Sequence, residues 1–256
     1  MGCKKGPGPI QIWPMRAVAV IPARMGSTRL PGKVMADVHG QPLVVHVLER
    51  VMRSTSIEEA YVATDSVEVA DAVKAVGGHV IMTIGDFSCG TERVAAAIRG
   101  IDAEVVINVQ ADNGAIEPAV IDAVVGAFDQ PGVNVVTPVA SFPSDCDPSE
   151  PSIVKAVVDG SGRAIYFSRS LIPHGGPWLH HIGVYGFRRS ALQEFASWGA
   201  GVLEQSERLE QLRFLENGMQ IHTVLVGSGV VSVDTPDDLD RLLSFSSGPS
   251  SNNSRL

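Results

Sequence analysis

The sequence predicts an α/β fold: a mostly parallel sheet flanked by helices, with a smaller mixed α/β lobe in the second half. Three observations predict it. Short apolar runs of strand length alternate with amphipathic helical patterns up to about residue 140. Gly, Pro, Ser and Asp punctuate the joins. A chain of 256 residues, 45% hydrophobic and 19% charged, is long and apolar enough for one large core.

The elements follow in order. Ala17–Ile21 reads as a strand and Leu43–Arg53 as a helix, followed by a strand at Ala60–Thr64. Ser66–Val76 is a helix with Ser66 as cap and Gly77-Gly78 as stop. His79–Thr83 is a strand, Glu92–Ile98 a helix and Val105–Val109 a strand. Pro118–Phe128 is a helix, with Pro118 suited to its first turn, and Val133–Ala140 is a strand. Beyond the Ser, Asp and Pro-rich stretch 141–151, Ile153–Val158 and Ala164–Phe167 form a hairpin about Asp159-Gly160-Ser161-Gly162. His181–Phe187 is a strand, Leu203–Asn217 a helix, Gln220–Val226 and Val230–Val233 strands. Pro236–Phe245 is a last helix capped by Thr235. Residues 1–14 read as a flexible extension, 15–245 as one domain with its second-half lobe at about 143–230, and 246–256 as a disordered tail.

A formal net charge of -8 argues against nucleic acid and anionic membrane surfaces as partners. No apolar run reaches the length of a membrane span. Cys3, Cys89 and Cys146 make neither a disulfide framework nor a zinc knuckle, and a reducing cytoplasm is the simplest compartment.

The segment from Ile21 to Lys33 (IPARMGSTRLPGK) joins a strand to the chain leading to a helix. Small residues there let backbone N–H groups approach phosphates, and Arg24 and Lys33 can neutralise them beside Gly26 and Ser27. Arg29 either joins them or makes a structural ion pair. The spacing is neither a Walker loop nor GxGxxG, which sets an NAD-dependent dehydrogenase aside.

This loop resembles the signature of the CMP-KDO synthetases (3-deoxy-manno-octulosonate cytidylyltransferases). The likeness continues through Ala63-Thr64-Asp65, Gly90-Thr91-Glu92-Arg93, Asn108-Val109-Gln110, Tyr166-Phe167-Ser168-Arg169, His181 to Gly186, Leu209 to Arg213 and Val233-Asp234-Thr235-Pro236. It runs from about Ala17 to Arg241. The resemblance implies a Rossmann-like nucleotidyltransferase sheet, a homodimer, and CMP transfer from CTP to an acidic acceptor with release of pyrophosphate.

It also implies roles. Ala23, Arg24, Gly26, Ser27, Lys33, Cys89, Thr91, Arg93 and Gln110 would bind the nucleotide, with base selection at Cys89 to Arg93. Asp112 and Asp234, each after an apolar run, would hold Mg²⁺ and with Arg24 and Lys33 form the catalytic set. Helix capping is the alternative reading of either aspartate. The planar fork of Arg169 suits a carboxylate or phosphonate. Gln110, His181, Tyr185, Glu210 and Gln211 would line the same acceptor pocket. Alternatively Cys89 and Tyr185 pack in the core, His181 is a satisfied core histidine, and Glu210 pairs with Arg213 at i,i+3.

Two departures bear on the acceptor. The family usually reads Gln-Gly-Asp-Glu-Pro where this chain has Gln110-Ala111-Asp112-Asn113-Gly114, a less negative and more mobile loop. The segment His174 to His180 is shorter than the family's. Both favour a small acid, a phosphonate such as phosphonoformate, with KDO as the alternative. A non-catalytic nucleotide-binding protein is the alternative from another class, and a purine or uridine triphosphate remains open as donor.

Overall fold

In a computed structural model of the protein, residues 15–26, 30–142, 147–227, 232–233 and 235–246 are described. The expected extension at 1–14 and the tail beyond 246 lie outside them.

Strand β1 (Ala17–Ala23) shows how the sequence builds the sheet. All seven residues are buried. Ala17, Ala19 and Ile21 enter one core cluster while Val18 and Val20 enter the other. The period of two therefore serves two apolar faces, as a strand covered on both sides requires. Strands β2 (Asp37–Val38) and β3 (Gln41–Pro42) form a separate small ribbon. Then come α1 (Leu43–Val51), β4 (Glu59–Thr64), α2 (Val67–Ala75) and β5 (His79–Met82). Next are α3 (Gly90–Ala97), β6 (Val105–Val109), α4 (Pro118–Gly126) and β7 (Val135–Ser141). Strands β1, β4, β5 and β6 pair in parallel. Ser66 Oγ accepts from Val69 N at 3.3 Å, the cap that its position before α2 predicts.

The second half extends this sheet and does not begin another. β8 (Lys155–Val158), β9 (Ala164–Ser168), β10 (Leu179–His181) and β11 (Val184–Arg188) are followed by α5 (Arg189–Ser197), α6 (Val202–Glu207) and α7 (Leu212–Glu216). β12 (His222–Val226) and α8 (Pro236–Ser246) complete the chain. The strand order is β5-β4-β1-β6-β11-β7-β10-β8-β9, with β12 on β7. From β6 through β11, β7, β10 and β8 to β9 every step is antiparallel, while β12 lies parallel to β7. The sheet is thus parallel around β1 and mixed beyond β6. One core cluster lies under α1, α2, α4 and α8, the other under α3, α5 and α7.

Several local expectations need correction. The strand expected at His181–Phe187 is two strands, because the chain passes from β7's far side to β6 at Ile182-Gly183. The helix expected at Leu203–Asn217 is broken by Arg208, whose φ of 55° is left-handed. Glu204 and Arg213 are nine residues apart, which puts them on opposite sides of a straight helix. Their bidentate ion pair (2.6 Å for both hydrogen bonds) needs the chain to turn between them. Helix α5 has no counterpart in the sequence reading; its apolar positions Ala191, Leu192 and Phe195 span little more than one turn. Of the expected strand Val230–Val233, only residues 232 and 233 are described, and neither is in a strand.

Candidate active site

The carboxyl ends of β1, β4 and β6 lie side by side, the edge where ligands enter such sheets. Arg24 follows β1 directly and is exposed. Ala23 is buried as the last residue of that strand, and Gly26 is exposed. Ser27 and Arg29 lie outside the described residues. The loop then closes on itself: Gly32 N donates to Met25 O at 3.2 Å, and Gly32 takes a left-handed φ of 69°. That turn starts the short 3₁₀ segment Lys33–Met35 and aims Lys33 at the end of β6. Lys33 Nζ meets Asp112 Oδ2 at 2.6 Å.

Asp112 sits in a tight turn after β6. Asn113 N donates to Gln110 O and Gly114 N to Asp112 O. Val233 N also donates to the Asp112 carbonyl, at 2.8 Å, which brings the residue before Asp234 to this turn. Asp234 itself lies outside the described residues. The turn differs from the mobile loop that its sequence suggested. Asn113 is buried and its Nδ2 donates to Gly183 O at 3.1 Å. Gly114 packs so closely under Leu242 that an added Cβ would lie 2.4 Å from its Cδ2. His46 Nε2 lies 3.0 Å from the Gly114 carbonyl. The residues that replace Glu and Pro therefore pin the loop.

Thr91 and Glu210 come together although 119 positions apart. Thr91 N donates to Glu210 Oε2 at 3.2 Å and Thr91 Oγ1 donates to Oε1 at 2.8 Å. Cys89, the N-cap of α3, makes no side-chain cap. Glu210 supplies it from across the fold, a carboxylate at the positive end of the helix. Glu210 does not form the i,i+3 pair with Arg213 that spacing allowed. Arg213 is fully buried, bonded to Glu204 and to Glu92 Oε1 at 2.8 Å, and lies 4.3 Å over the Phe195 ring. Hydrogen bonds that it donates to Glu204, outweighing burial, raise its already high pKa further. Burial pushes the Glu92 carboxyl up, but the bonds from Ser88 and Arg213 outweigh that and hold it low. Burial, reinforced by Glu210, raises the Cys89 thiol far out of the thiolate range, which disfavours a nucleophilic role.

Arg93 is drawn inward. It is 6% exposed and donates to Asp65 Oδ2 at 2.7 Å and to Thr83 Oγ1 and O at 2.8 and 3.0 Å. It ties α3 to the end of β4 and offers no open fork for a nucleotide. Gln110 is half-buried and its Nε2 donates to Asn108 Oδ1 at 3.2 Å.

Arg169 lies just past β9. Its Nε donates to Glu207 O and its Nη1 to Pro151 O, while Nη2 makes no hydrogen bond to a described residue. Lys155, with no exposed surface, holds the Arg169 carbonyl at 2.7 Å and the Glu150 and Ile153 carbonyls at 3.0 and 2.8 Å. Glu207 also accepts from Arg169 N and Ser168 Oγ. His181 is buried, 4.9 Å from the Phe167 ring and 5.5 Å from Tyr185. Its Nε2 lies 3.0 Å from Thr137 Oγ1. Thr137 gives its single proton to the Val184 carbonyl at 2.8 Å, so His181 Nε2 carries the proton between them. Burial, reinforced by His180, lowers the His181 pKa to about 3, so the ring is neutral. Burial raises the Tyr185 phenol well above its usual range, with Glu210 and Cys89 contributing. Gln211 is 2% exposed and its Nε2 finds no hydrogen-bond partner among the described residues.

Sequence reasoning did not assign Asn108, Asn113, Lys155 or Glu207. Asn108 had a signal, since an amide inside the apolar run Val105–Val109 demands a partner. Lys155 had a weaker one, a cation between Ile153-Val154 and Ala156-Val157. An open depression of about 300 Å³ lined by Arg99, Gly100, Ile101, Asp102 and Arg189 lies at the opposite edge, before β6, and holds none of the candidate residues. No helix among the described residues is long and apolar enough to cross a membrane.

Residues 18–221 match the cytidylyltransferase family profile. The chain is 45% identical over 234 residues to the 3-deoxy-manno-octulosonate cytidylyltransferase of Paramagnetospirillum magneticum, covering 88% of this chain and 95% of that protein. It is 44% identical over 234 residues to the enzyme of the same name from Rhodopseudomonas palustris, covering 88% and 95%. The solved structure of a CMP:2-keto-3-deoxy-manno-octonic acid synthetase complexed with CTP matches with a TM-score of 0.85 at 38% identity, covering 90% of this chain and 98% of that one.

Proposed function

The chain belongs to the cytidylyltransferase family, among the 3-deoxy-manno-octulosonate (KDO) enzymes, and on that premise we propose that it transfers CMP from CTP to KDO with release of pyrophosphate. The observation that carries the reading is the Lys33–Asp112 pair. It holds the cation proposed for phosphate and the carboxylate proposed for a metal 2.6 Å apart at the carboxyl edge of the sheet.

The names of the relatives favour KDO over the phosphonate that two sequence departures suggested. The pinned Asn113-Gly114 turn removes one reason for expecting a different acceptor.

The residues present fit Mg²⁺. Asp112 offers a hard oxygen, and Val233, the residue before Asp234, donates its N–H to the Asp112 carbonyl. Mg²⁺ takes one or two carboxylates and completes its shell with water and phosphate oxygens. When bound, it would supply charge neutralisation on the triphosphate. Lys33 would then exchange Asp112 for a phosphate oxygen, and Arg24, exposed just after β1, would supply a second cation. Arg169 would receive the acceptor carboxylate at its Nη2 edge. Neutral His181 cannot add charge there; with Tyr185 it would shape the pocket wall. Positioning and fixed charge, not a protein nucleophile, would carry the transfer.

Incubation with CTP, KDO and Mg²⁺, followed by mass spectrometry, tests this. Formation of CMP-KDO together with pyrophosphate is expected. CTP binding without either product would overturn the enzymatic reading.

A further inference from the structure

We propose that Asn108 and Thr91 are positioning residues that fix which atom of the Gln110 carboxamide meets the acceptor. The site then presents a hydrogen-bond acceptor and selects a molecule carrying a hydroxyl. This deepens the KDO reading and rests on it.

The argument follows the protons. The Glu210 carboxylate only accepts, and both its oxygens face Thr91. The single hydroxyl proton of Thr91 therefore goes to Glu210 Oε1. Thr91 Oγ1 must then accept from its other neighbour, so Asn108 turns Nδ2 towards it, at 3.0 Å. That leaves Asn108 Oδ1 facing Gln110, which must answer with Nε2, at 3.2 Å. Each amide orientation follows from the one before it. Gln110 Oε1 remains, with no hydrogen bond to a described residue.

The chain is sheltered. Asn108 is 0% exposed and Thr91 1%, so water does not compete along it. Gly90 lies flat against the carboxamide, where an added Cβ would come within 2.9 Å of Nε2 and 3.0 Å of Oε1. A carboxylate on the loop after α6 thereby sets the polarity of a side chain at the end of β6. A hydroxyl can donate to Gln110 Oε1; an acid whose oxygens are all ionised cannot.

The test is a polarity swap. In Glu210→Gln the new amide donates to Thr91, the Thr91 proton turns to Asn108, and both following amides reverse. In Asn108→Asp two carboxylates compete for one Thr91 proton. In the double variant the introduced amide donates to Thr91, Thr91 donates to the introduced carboxylate, and that carboxylate again accepts from Gln110 Nε2. Each single variant is expected to raise KM for KDO about tenfold, with KM for CTP nearly unchanged. The double variant is expected to return within about threefold of the parent. Melting temperatures separate loss of fold from loss of polarity. Additive losses in the double variant overturn the proposal, as does recovered stability without recovered KM. If the parent uses another acceptor, the KDO reading fails by itself, and the same cycle is run on that acceptor's KM. Efficient use of phosphonoformate, which has no hydroxyl on carbon, overturns the hydroxyl selection.

Discussion

Lys33 Nζ and Asp112 Oδ2 lie 2.6 Å apart, joining two segments 79 positions distant in the chain. Their side chains are 14% and 21% exposed, so the pair is sheltered but open to the cleft. Asp112→Asn removes the carboxylate proposed for the metal and the ionic contact it makes with Lys33. We expect kcat to fall roughly 10²–10³-fold. Stability should change by only about 1 kcal/mol, as for other partly exposed pairs. Steady-state kinetics beside thermal melting checks both; full activity would remove Asp112 from the mechanism.

Arg213 holds the broken α6–α7 segment, and with it the turn that carries Glu210. Arg213→Met leaves the buried Glu204 carboxylate without its bidentate partner. Losing one member of a buried pair costs about 3–5 kcal/mol. Urea denaturation should show a loss of that size.

Gly186 on β11 lies beneath α4. An added Cβ would come within 2.6 Å of Phe128 Cε2 and 2.7 Å of Val124 Cγ1. Gly186→Ala should destabilise by about 1–3 kcal/mol through overpacking. KM for CTP should stay unchanged, because the contact faces the helix layer.

These cases separate what was legible in sequence from what was not. Strands β1 and β4 to β7 and the helices between them were legible because the apolar period names the covered face, as Val18 and Ala19 show in β1, whereas the two-residue strands β2 and β3 are too short to show a period. The cap of α8 was legible too: Asp238 N donates to Thr235 Oγ1 at 3.2 Å, and Thr235 N donates back to Asp238 Oδ2 at 2.9 Å. The break at Arg208 was not, because a tertiary ion pair and not local propensity dictates it. The loop residues Lys33 and Asp112 were legible from strand-end chemistry. The inward turn of Arg93 was hidden, because Asp65 and Thr83 reach it only in the folded sheet.

Acid should destabilise the fold before its carboxylates titrate. His181 has a folded pKa of about 3 against an ordinary 6.5, so below pH 6.5 the unfolded chain binds a proton that the folded one refuses. This contribution is fully present above pH 6.5 and is lost progressively as pH falls towards 3. His46 and His180, also lowered chiefly by burial, act in the same direction. Melting temperature should decline from about pH 6.5 to about pH 5, and His181→Gln should flatten that slope.

Pyrophosphate release with CTP and Mg²⁺, read side by side with KDO and with phosphonoformate, tests the central claim most directly. Release with KDO alone is the expected result. Release with phosphonoformate alone would contradict both the proposed acceptor and the polarity assigned to Gln110.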